Sequence, residues 1–164
     1  LQGGSEAGVN FTFDEHRILV PDYSKPLVTH TQLDNNVIIF SLFPGMEEGL
    51  MHHLFDAPEL RSIVMRSYGS GNAPQRPWLM KLLKQASERG VIVVNISQCI
   101  SGQVEMSRYD TGYQLKDAGV ISGYDSTVEA AVTKLMYLQA RYKDADKVRY
   151  YMNHSIAGEI TIQE

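Results

Sequence analysis

Three largely apolar runs constrain this fold more than any other feature of the sequence. They read VIIFSLF at 37–43, RSIVMRSYG at 61–69 and VIVVNISQ at 91–98, and a shorter run, VISG, follows at 120–123. A strand that is apolar on both faces must be covered on both faces, which is typical of parallel sheets. The intervening segments carry apolar residues at helical spacing. Strands and helices in alternation predict βαβ units, with helices on both faces of a parallel sheet.

Helix start and stop signals lie between these runs. Pro77 opens one helix and Gly90 closes it, in the usual order of proline first and glycine last. Ser126 and Glu129 form a capping-box pattern at the start of another helix, and Lys134 is expected on the solvated face of that helix. The other predicted helices occupy 44–55, with apolar side chains at Leu50, Met51, Leu54 and Phe55, and the segments 108–119 and 144–155.

The sequence before the first buried run carries weaker patterns. Residues 9–13 and 27–33 alternate apolar and polar side chains, which indicates half-buried strands. We therefore predict an α/β fold, a small Rossmann-like or flavodoxin-like domain over 37–164 with a mostly parallel four-stranded sheet. A linker and β segment over 1–36 precede it. Ligands bind such sheets at the carboxyl ends of the strands, where the loops 66–74, 97–109 and 123–127 are expected to meet.

Composition excludes several classes of function. The chain has 164 residues and a net charge of −4, with no basic block, so we expect no nucleic-acid partner. Its apolar runs are too short to span a bilayer, so no membrane partner is expected either. The single cysteine, Cys99, precludes an internal disulfide and fits a reducing compartment. The opening LQGGSEAG is typical of a linker or cut end, which suggests a fragment of a longer protein.

The stretch RSYGSGNAP at 66–74 raises the alternative of a nucleotide-binding loop. A dinucleotide fingerprint needs a third glycine, where this sequence has Pro74, and an acidic residue after the next strand, which is absent. No Lys-Ser or Lys-Thr pair follows, so a Walker loop is excluded as well. Gly69 and Gly71 are explained by a tight turn. A tight turn does not explain Arg66, because a guanidinium leaving a buried strand needs an anionic partner or a path to solvent.

The sequence motifs by themselves do not indicate a complete set of catalytic residues. Cys99 follows a strand but has no histidine nearby in sequence, so we expect a small buried residue rather than a nucleophile. No histidine spacing is typical of a metal site. The predicted ligand edge therefore contains Arg66, Asn72, Cys99 and Tyr109, without a nucleophile–base pair.

Three motifs in this order resemble one known family. The stretches RSYGSGNAPQ, ERGVIVVNISQCISGQVEMSRYDTG and LKDAGVISGYDSTVEAAVTKLMYL are similar to the C-terminal domain of L-asparaginases, specifically the cytoplasmic type I branch. The similarity covers roughly residues 37–160. It implies hydrolysis of L-asparagine to L-aspartate and ammonia by a cytoplasmic homodimer or homotetramer, without metal or cofactor.

The resemblance also implies that the catalytic residues lie elsewhere. In this family a threonine nucleophile and a Thr-Asp-Lys set occupy an N-terminal domain, in motifs that this chain lacks. Without an activated nucleophile the chain alone is expected to be inactive. None of its threonines stands in such a motif: Thr12, Thr29, Thr31, Thr111, Thr127, Thr133 and Thr161.

Four residues match family positions that bind amino acids. Tyr109 and Asn72 match loops that complete the active site of a neighbouring subunit. Arg66 and Cys99 match an activating site at which some cytoplasmic members bind asparagine, and a guanidinium can hold the carboxylate bidentately. The alternative from another class is a stand-alone amino-acid-binding or interaction module without catalysis.

Overall fold

A computed structural model describes residues 3–4, 10–13, 15, 18–100, 102–106 and 110–162. Strands β1 (Gly3–Gly4) and β2 (Asn10–Phe11) form a small antiparallel pair. The main sheet has four parallel strands in sequence order, which confirms the predicted α/β fold with a parallel four-stranded sheet. These strands are β3 (Val37–Ser41), β4 (Ser62–Ser67), β5 (Ile92–Ser97) and β6 (Ile121–Ser122).

Helices cover both faces of the sheet. They are α1 (Glu48–Phe55), α2 (Pro77–Glu88), α3 (Asp110–Asp117), α4 (Val128–Arg141) and α5 (Ala145–Met152). The first three pack on one face, where Ile63, Met65 and Val93 of the sheet are fully buried. The last two pack on the other, against Val64 and Val94. Each central strand therefore sends alternate side chains into two separate cores. Within the described residues, no helix is both long and apolar enough to cross a bilayer.

The predicted strand over 27–33 is wrong. This segment pairs with no strand among the described residues, and its apolar side chains face solvent, with Leu27 91% and Val28 65% exposed. Alternation alone does not make a strand, because the backbone groups of a strand need a neighbouring strand to pair with. The earlier prediction over 9–13 coincides in part with β2.

An ion pair fixes the entry of the chain into the main sheet. Arg61 donates a hydrogen bond of 2.6 Å to Asp34, and also donates to the carbonyl of Gln139 near the end of α4. Burial raises the pKa of the Asp34 carboxyl, but hydrogen bonds from Asn36 and Arg61 outweigh it, so that the pKa lies below the ordinary 3.8. The Arg61–Asp34 ion pair thus holds the start of β3 against the C-terminal end of α4, where the helix dipole favours a positively charged side chain.

Two local predictions differ from the structure. Leu50 and Leu54 of α1 are 61% and 40% exposed, whereas Met51 and Phe55 are buried. At the start of α4 the cap is Thr127, not Ser126, because Thr127 Oγ1 accepts from the backbone N–H of Ala130 at 3.2 Å. The capping box predicted one residue earlier is therefore wrong.

Candidate ligand-binding edge

Gln98 ties together the carboxyl ends of three strands. Its side-chain Nε2 donates to the carbonyls of Leu42 and Arg66, at 2.8 Å each. Its backbone N–H donates to the carbonyl of Ser67 at 2.9 Å, and that of Leu42 donates to Arg66. These bonds satisfy backbone carbonyls that lie beyond the regular ladder. Hydrogen bonds therefore link the ends of β3, β4 and β5 at the edge where the predicted ligand residues lie.

The glycine-rich loop forms a tight turn supported by the neighbouring strand. Tyr68 and Asn72 pair across the turn, while Gly69 and Gly71 have φ values of +50° and +106°. Ser97 donates to the carbonyl of Gly69 at 2.6 Å, and buried Asn95 donates to that of Gly71 at 3.0 Å. Positive φ angles favour glycine. Gly69 and Gly71 are thus explained by the backbone conformation of the turn.

Asn72 lies beside the first turn of α3. Thr111 Oγ1 donates a hydrogen bond of 3.0 Å to Asn72 Oδ1. Together with Gln75 and Asp110 these two residues line an open cleft of about 330 Å³. Tyr109, predicted to work with Asn72, lies outside the described residues. The fold nevertheless brings Asn72 next to the two residues that follow Tyr109 in the chain.

Arg66 is half-buried on β4, facing the α4 side of the sheet. Its register partners are Ser41 on β3 and Ile96 on β5. Arg66 Nη1 lies 3.4 Å from Ser41 Oγ, and Nε is buried with no hydrogen-bond partner among the described residues. An unpaired buried donor on a cation is costly. The guanidinium therefore retains unused capacity to bind an anion.

Cys99 is exposed, so its prediction as a buried residue is wrong. Strand β5 ends at Ser97, and the chain then turns away from the sheet, with the Cys99 N–H bonded to Ser97 Oγ at 3.0 Å. The side chain thus extends beyond the core that covers the strand. Among the described residues, no hydrogen bond joins Cys99 to Arg66, although Arg66 lies near the end of β4 and Cys99 follows the end of the neighbouring strand β5.

The comparisons with known proteins identify the domain. Residues 36–152 match the family model for the glutaminase/asparaginase C-terminal domain. The chain belongs to this family. The resemblance carried by the sequence motifs is thereby confirmed.

Relatives of this asparaginase C-terminal domain are much longer than the chain. L-asparaginase 1 of Escherichia coli strain K12 is 39% identical over 135 residues, which are 82% of this chain and 40% of that protein. The 60 kDa lysophospholipase of Homo sapiens is 37% identical over 155 residues, 94% of this chain and 27% of that protein. The chain spans less than half the length of either relative.

Solved structures share the fold. L-asparaginase I from Vibrio cholerae is 42% identical with a TM-score of 0.74, and the match covers 78% of this chain and 38% of that one. The thermostable L-asparaginase from Thermococcus kodakarensis is 32% identical with a TM-score of 0.74, and the match covers 85% of this chain and 44% of that one. Both matches place the architecture described above within L-asparaginases.

A second, larger cleft is lined in part by Glu105, whose backbone N–H donates to the carbonyl of Ser70 in the glycine-rich loop. It measures about 630 Å³ and borders β6, with Tyr124 and Arg149 in its wall. Arg149 already donates to the carbonyl of Gly119 at 2.8 Å and to Ser87 Oγ at 2.9 Å. Burial lowers the pKa of this guanidinium, which Asp146 partly offsets. Because its donors are used to join α5 to the ends of α2 and α3, we regard this cleft as structural.

Sequence reasoning missed three residues of the ligand edge. Asn95 interrupts an apolar strand, and a polar residue at such a position is a signal for a specific hydrogen bond. Gln98 and Thr111 give no comparable signal, because the partners of their side chains lie at least 32 residues away in the chain. Among the described residues, no three His, Cys, Asp or Glu side chains converge as metal ligands.

The Gly71 turn supports a stability prediction. A Cβ at position 71 would lie 2.8 Å from Val104 Cγ1 and 3.3 Å from Asn95 Nδ2, at a φ of +106°. We expect Gly71→Ala to lower the free energy of unfolding by about 1–3 kcal/mol, measured by urea denaturation. Gly49→Ala is the matched control, since it lies in α1 with no atom within 4 Å of the added Cβ. Equal stability of the two variants would contradict the prediction.

Proposed function

We propose that this chain is the C-terminal domain of an L-asparaginase that hydrolyses L-asparagine to L-aspartate and ammonia. The observation that carries the proposal is the Asn72 side chain at an open cleft on the ligand edge of a domain of this family. In this role the domain presents Asn72 and Tyr109 to the active site of a neighbouring subunit. The missing N-terminal catalytic domain supplies the nucleophile, and L-asparagine is the substrate.

The 164-residue chain alone is expected to hydrolyse no L-asparagine. Its threonines stand outside the family's nucleophile motifs, and covalent catalysis needs a nucleophile beside its activating groups. The test is ammonia release from L-asparagine, with a lysophospholipid assayed in parallel because one relative is named a lysophospholipase. Turnover of L-asparagine that survives repurification would overturn this prediction, and lysophospholipid turnover would instead favour a different activity.

A second role, binding of an amino-acid effector, is supported by Arg66. Its unpartnered Nε and half-buried guanidinium suit a carboxylate, which arginine binds through two parallel hydrogen bonds. The exposed Cys99 follows the end of the adjacent strand and would lie at the rim of such a site. We propose these two residues as the part of an activating asparagine site that this domain supplies.

The effector role predicts that Arg66→Ala weakens activation by asparagine more than it lowers the maximal rate. The measurement is the rate of the full-length enzyme against L-asparagine concentration, where loss of activation makes the curve hyperbolic. Arg76→Ala is the control, because this arginine is exposed at the start of α2. An unchanged curve for Arg66→Ala would contradict the effector proposal and leave the substrate proposal standing.

The substrate role predicts that Asn72→Ala raises KM for L-asparagine by about tenfold, which corresponds to the loss of a hydrogen bond to a charged group. Steady-state kinetics of the full-length enzyme give the value. Asn35→Ala serves as control, since Asn35 is exposed before β3. An unchanged KM for Asn72→Ala would remove Asn72 from the substrate site.

The alternative is a stand-alone amino-acid-binding or interaction module. The gene sequence upstream of Leu1 discriminates the two, because an open frame with a Thr-Gly-Gly-Thr motif supports the enzyme and a start codon beside Leu1 supports the module. Assembly into a homodimer or homotetramer and a cytoplasmic location stay predictions from the resemblance. Sedimentation of the full-length protein tests the first, and cell fractionation tests the second.

A further inference from the structure

We propose that Thr111 is a positioning residue that fixes the orientation of the Asn72 carboxamide toward a ligand. This inference rests on the proposed role of Asn72 in substrate binding. It assigns a task to a side chain that lies within the second sequence motif but to which the sequence analysis gave no binding role. Its basis is one hydrogen bond between two segments that the fold brings together from 39 residues apart.

The bond determines which end of the amide is free. Thr111 Oγ1 donates to Asn72 Oδ1 at 3.0 Å, so the oxygen is held by the protein. Among the described residues, Asn72 Nδ2 donates to no acceptor, and Asn72 is half-buried rather than sunk in the core. The carboxamide therefore presents N–H donors at the cleft. Such donors suit a carboxylate or amide oxygen of a small amino acid.

Both partners are held in place by their own backbones. The turn that carries Asn72 is closed by the bonds between Tyr68 and Asn72 and is joined through Ser70 to the N–H of Glu105 at 3.0 Å. Next to Thr111, Gly112 packs so closely that an added Cβ would overlap the carbonyl oxygen of Met106. Because neither segment must be ordered on binding, the hydrogen bond orients the amide at little entropic cost.

Removal of the Thr111 hydroxyl should release the amide without opening a cavity. Thr111→Val keeps the shape of the side chain but loses the hydroxyl that donates to Asn72. The Asn72 carboxamide can then turn its oxygen toward the cleft, where it would repel a carboxylate of the ligand. Thr111→Ser keeps the hydroxyl. We expect Thr111→Val to raise KM for L-asparagine by about three- to tenfold, in the range of one neutral hydrogen bond, with kcat changed less than KM.

Nuclear magnetic resonance on the 164-residue chain tests the orientation directly. The Asn72 side-chain ¹⁵NH₂ group should have a high order parameter in the wild type, a low one in Thr111→Val and a restored one in Thr111→Ser. Thr133→Val is the control for the same substitution at an exposed helical position. An ordered Asn72 amide in Thr111→Val would overturn the inference.

Kinetics of the full-length enzyme separate this inference from the function it rests on. A raised KM for both Asn72→Ala and Thr111→Val, with rescue by Thr111→Ser, supports both. A raised KM for Asn72→Ala alone overturns the positioning role of Thr111. An unchanged KM for Asn72→Ala overturns the substrate role of Asn72, and the order parameters then still decide whether Thr111 orients it.

Discussion

Lys134→Met is expected to lower the free energy of unfolding by about 3–5 kcal/mol, since it leaves a partly buried carboxylate without its partner. The Lys134 side chain is only 4% exposed, and its Nζ lies 2.5 Å from Glu159 Oε1 and donates to the carbonyl of His154 at 2.6 Å. Glu159 also accepts from the backbone N–H groups of Ile156 and Ala157. The pair therefore anchors the chain after α5 against α4.

Urea denaturation of matched variants measures this loss. Lys147→Met is the control, because Lys147 is exposed on α5 and its removal should change stability by less than about 0.5 kcal/mol. The double variant Lys134→Met/Glu159→Gln should recover part of the loss, since no uncompensated charge remains. Comparable stability of Lys134→Met and wild type would show that the ion pair contributes little to the fold.

The same pair has a defined pH dependence. Burial raises the pKa of the Glu159 carboxyl, but hydrogen bonds from Lys134, Ala157 and Ile156 outweigh it, and the pKa lies below the ordinary 4.5. A carboxyl with a lowered folded-state pKa stabilises the protein above its unfolded pKa. That contribution is lost as the pH falls through the folded value. In urea denaturation at a series of pH values, the stability difference between wild type and Lys134→Met should therefore be largest near neutral pH and shrink as the pH falls through the folded-state pKa of Glu159.

The sheet and its helices could be predicted from the sequence because the signals are local. A run such as 91–98 is apolar on both faces, and Pro77 and Gly90 delimit the preceding helix within one or two residues. Lys134 shows the limit of this reasoning. It was expected on a solvated helix face, but it is buried because Glu159, 25 positions further along the chain, folds back to meet it. Nothing near Lys134 in sequence indicates that partner.

Some residues of the candidate site could likewise be predicted from the sequence, and others could not. Arg66 could be singled out from the sequence, since a cation at the end of a buried strand must be satisfied or exposed. Thr111 could not, because its importance lies in a hydrogen bond to Asn72 that exists only when α3 packs beside the glycine turn. The exposure of Cys99 depends on where β5 ends, and sequence patterns place such boundaries least reliably.

Helix α1 shows why the buried face of a short helix is hard to predict. A substitution on its buried face is also expected to have the second large effect on the free energy of unfolding. Two apolar pairs at i, i+4 spacing, Leu50 with Leu54 and Met51 with Phe55, lie about 100° apart around the helix, so the sequence does not decide which pair is buried. In the structure Phe55 is 1% exposed and packs edge-to-face on Phe40, with ring centroids 5.6 Å apart. Leu50 is 61% exposed.

Phe55→Ala is accordingly expected to cost about 3–5 kcal/mol of unfolding free energy, from lost burial and the cavity left behind. Leu50→Ala is the matched control on the same helix, and it should change stability by less than about 0.5 kcal/mol because little apolar surface is re-exposed. Thermal and urea unfolding of both variants decide between the two faces. If Leu50→Ala were the more damaging, α1 would present Leu50 and Leu54 to the sheet, and the core around Ile63 and Met65 would have to be reassigned.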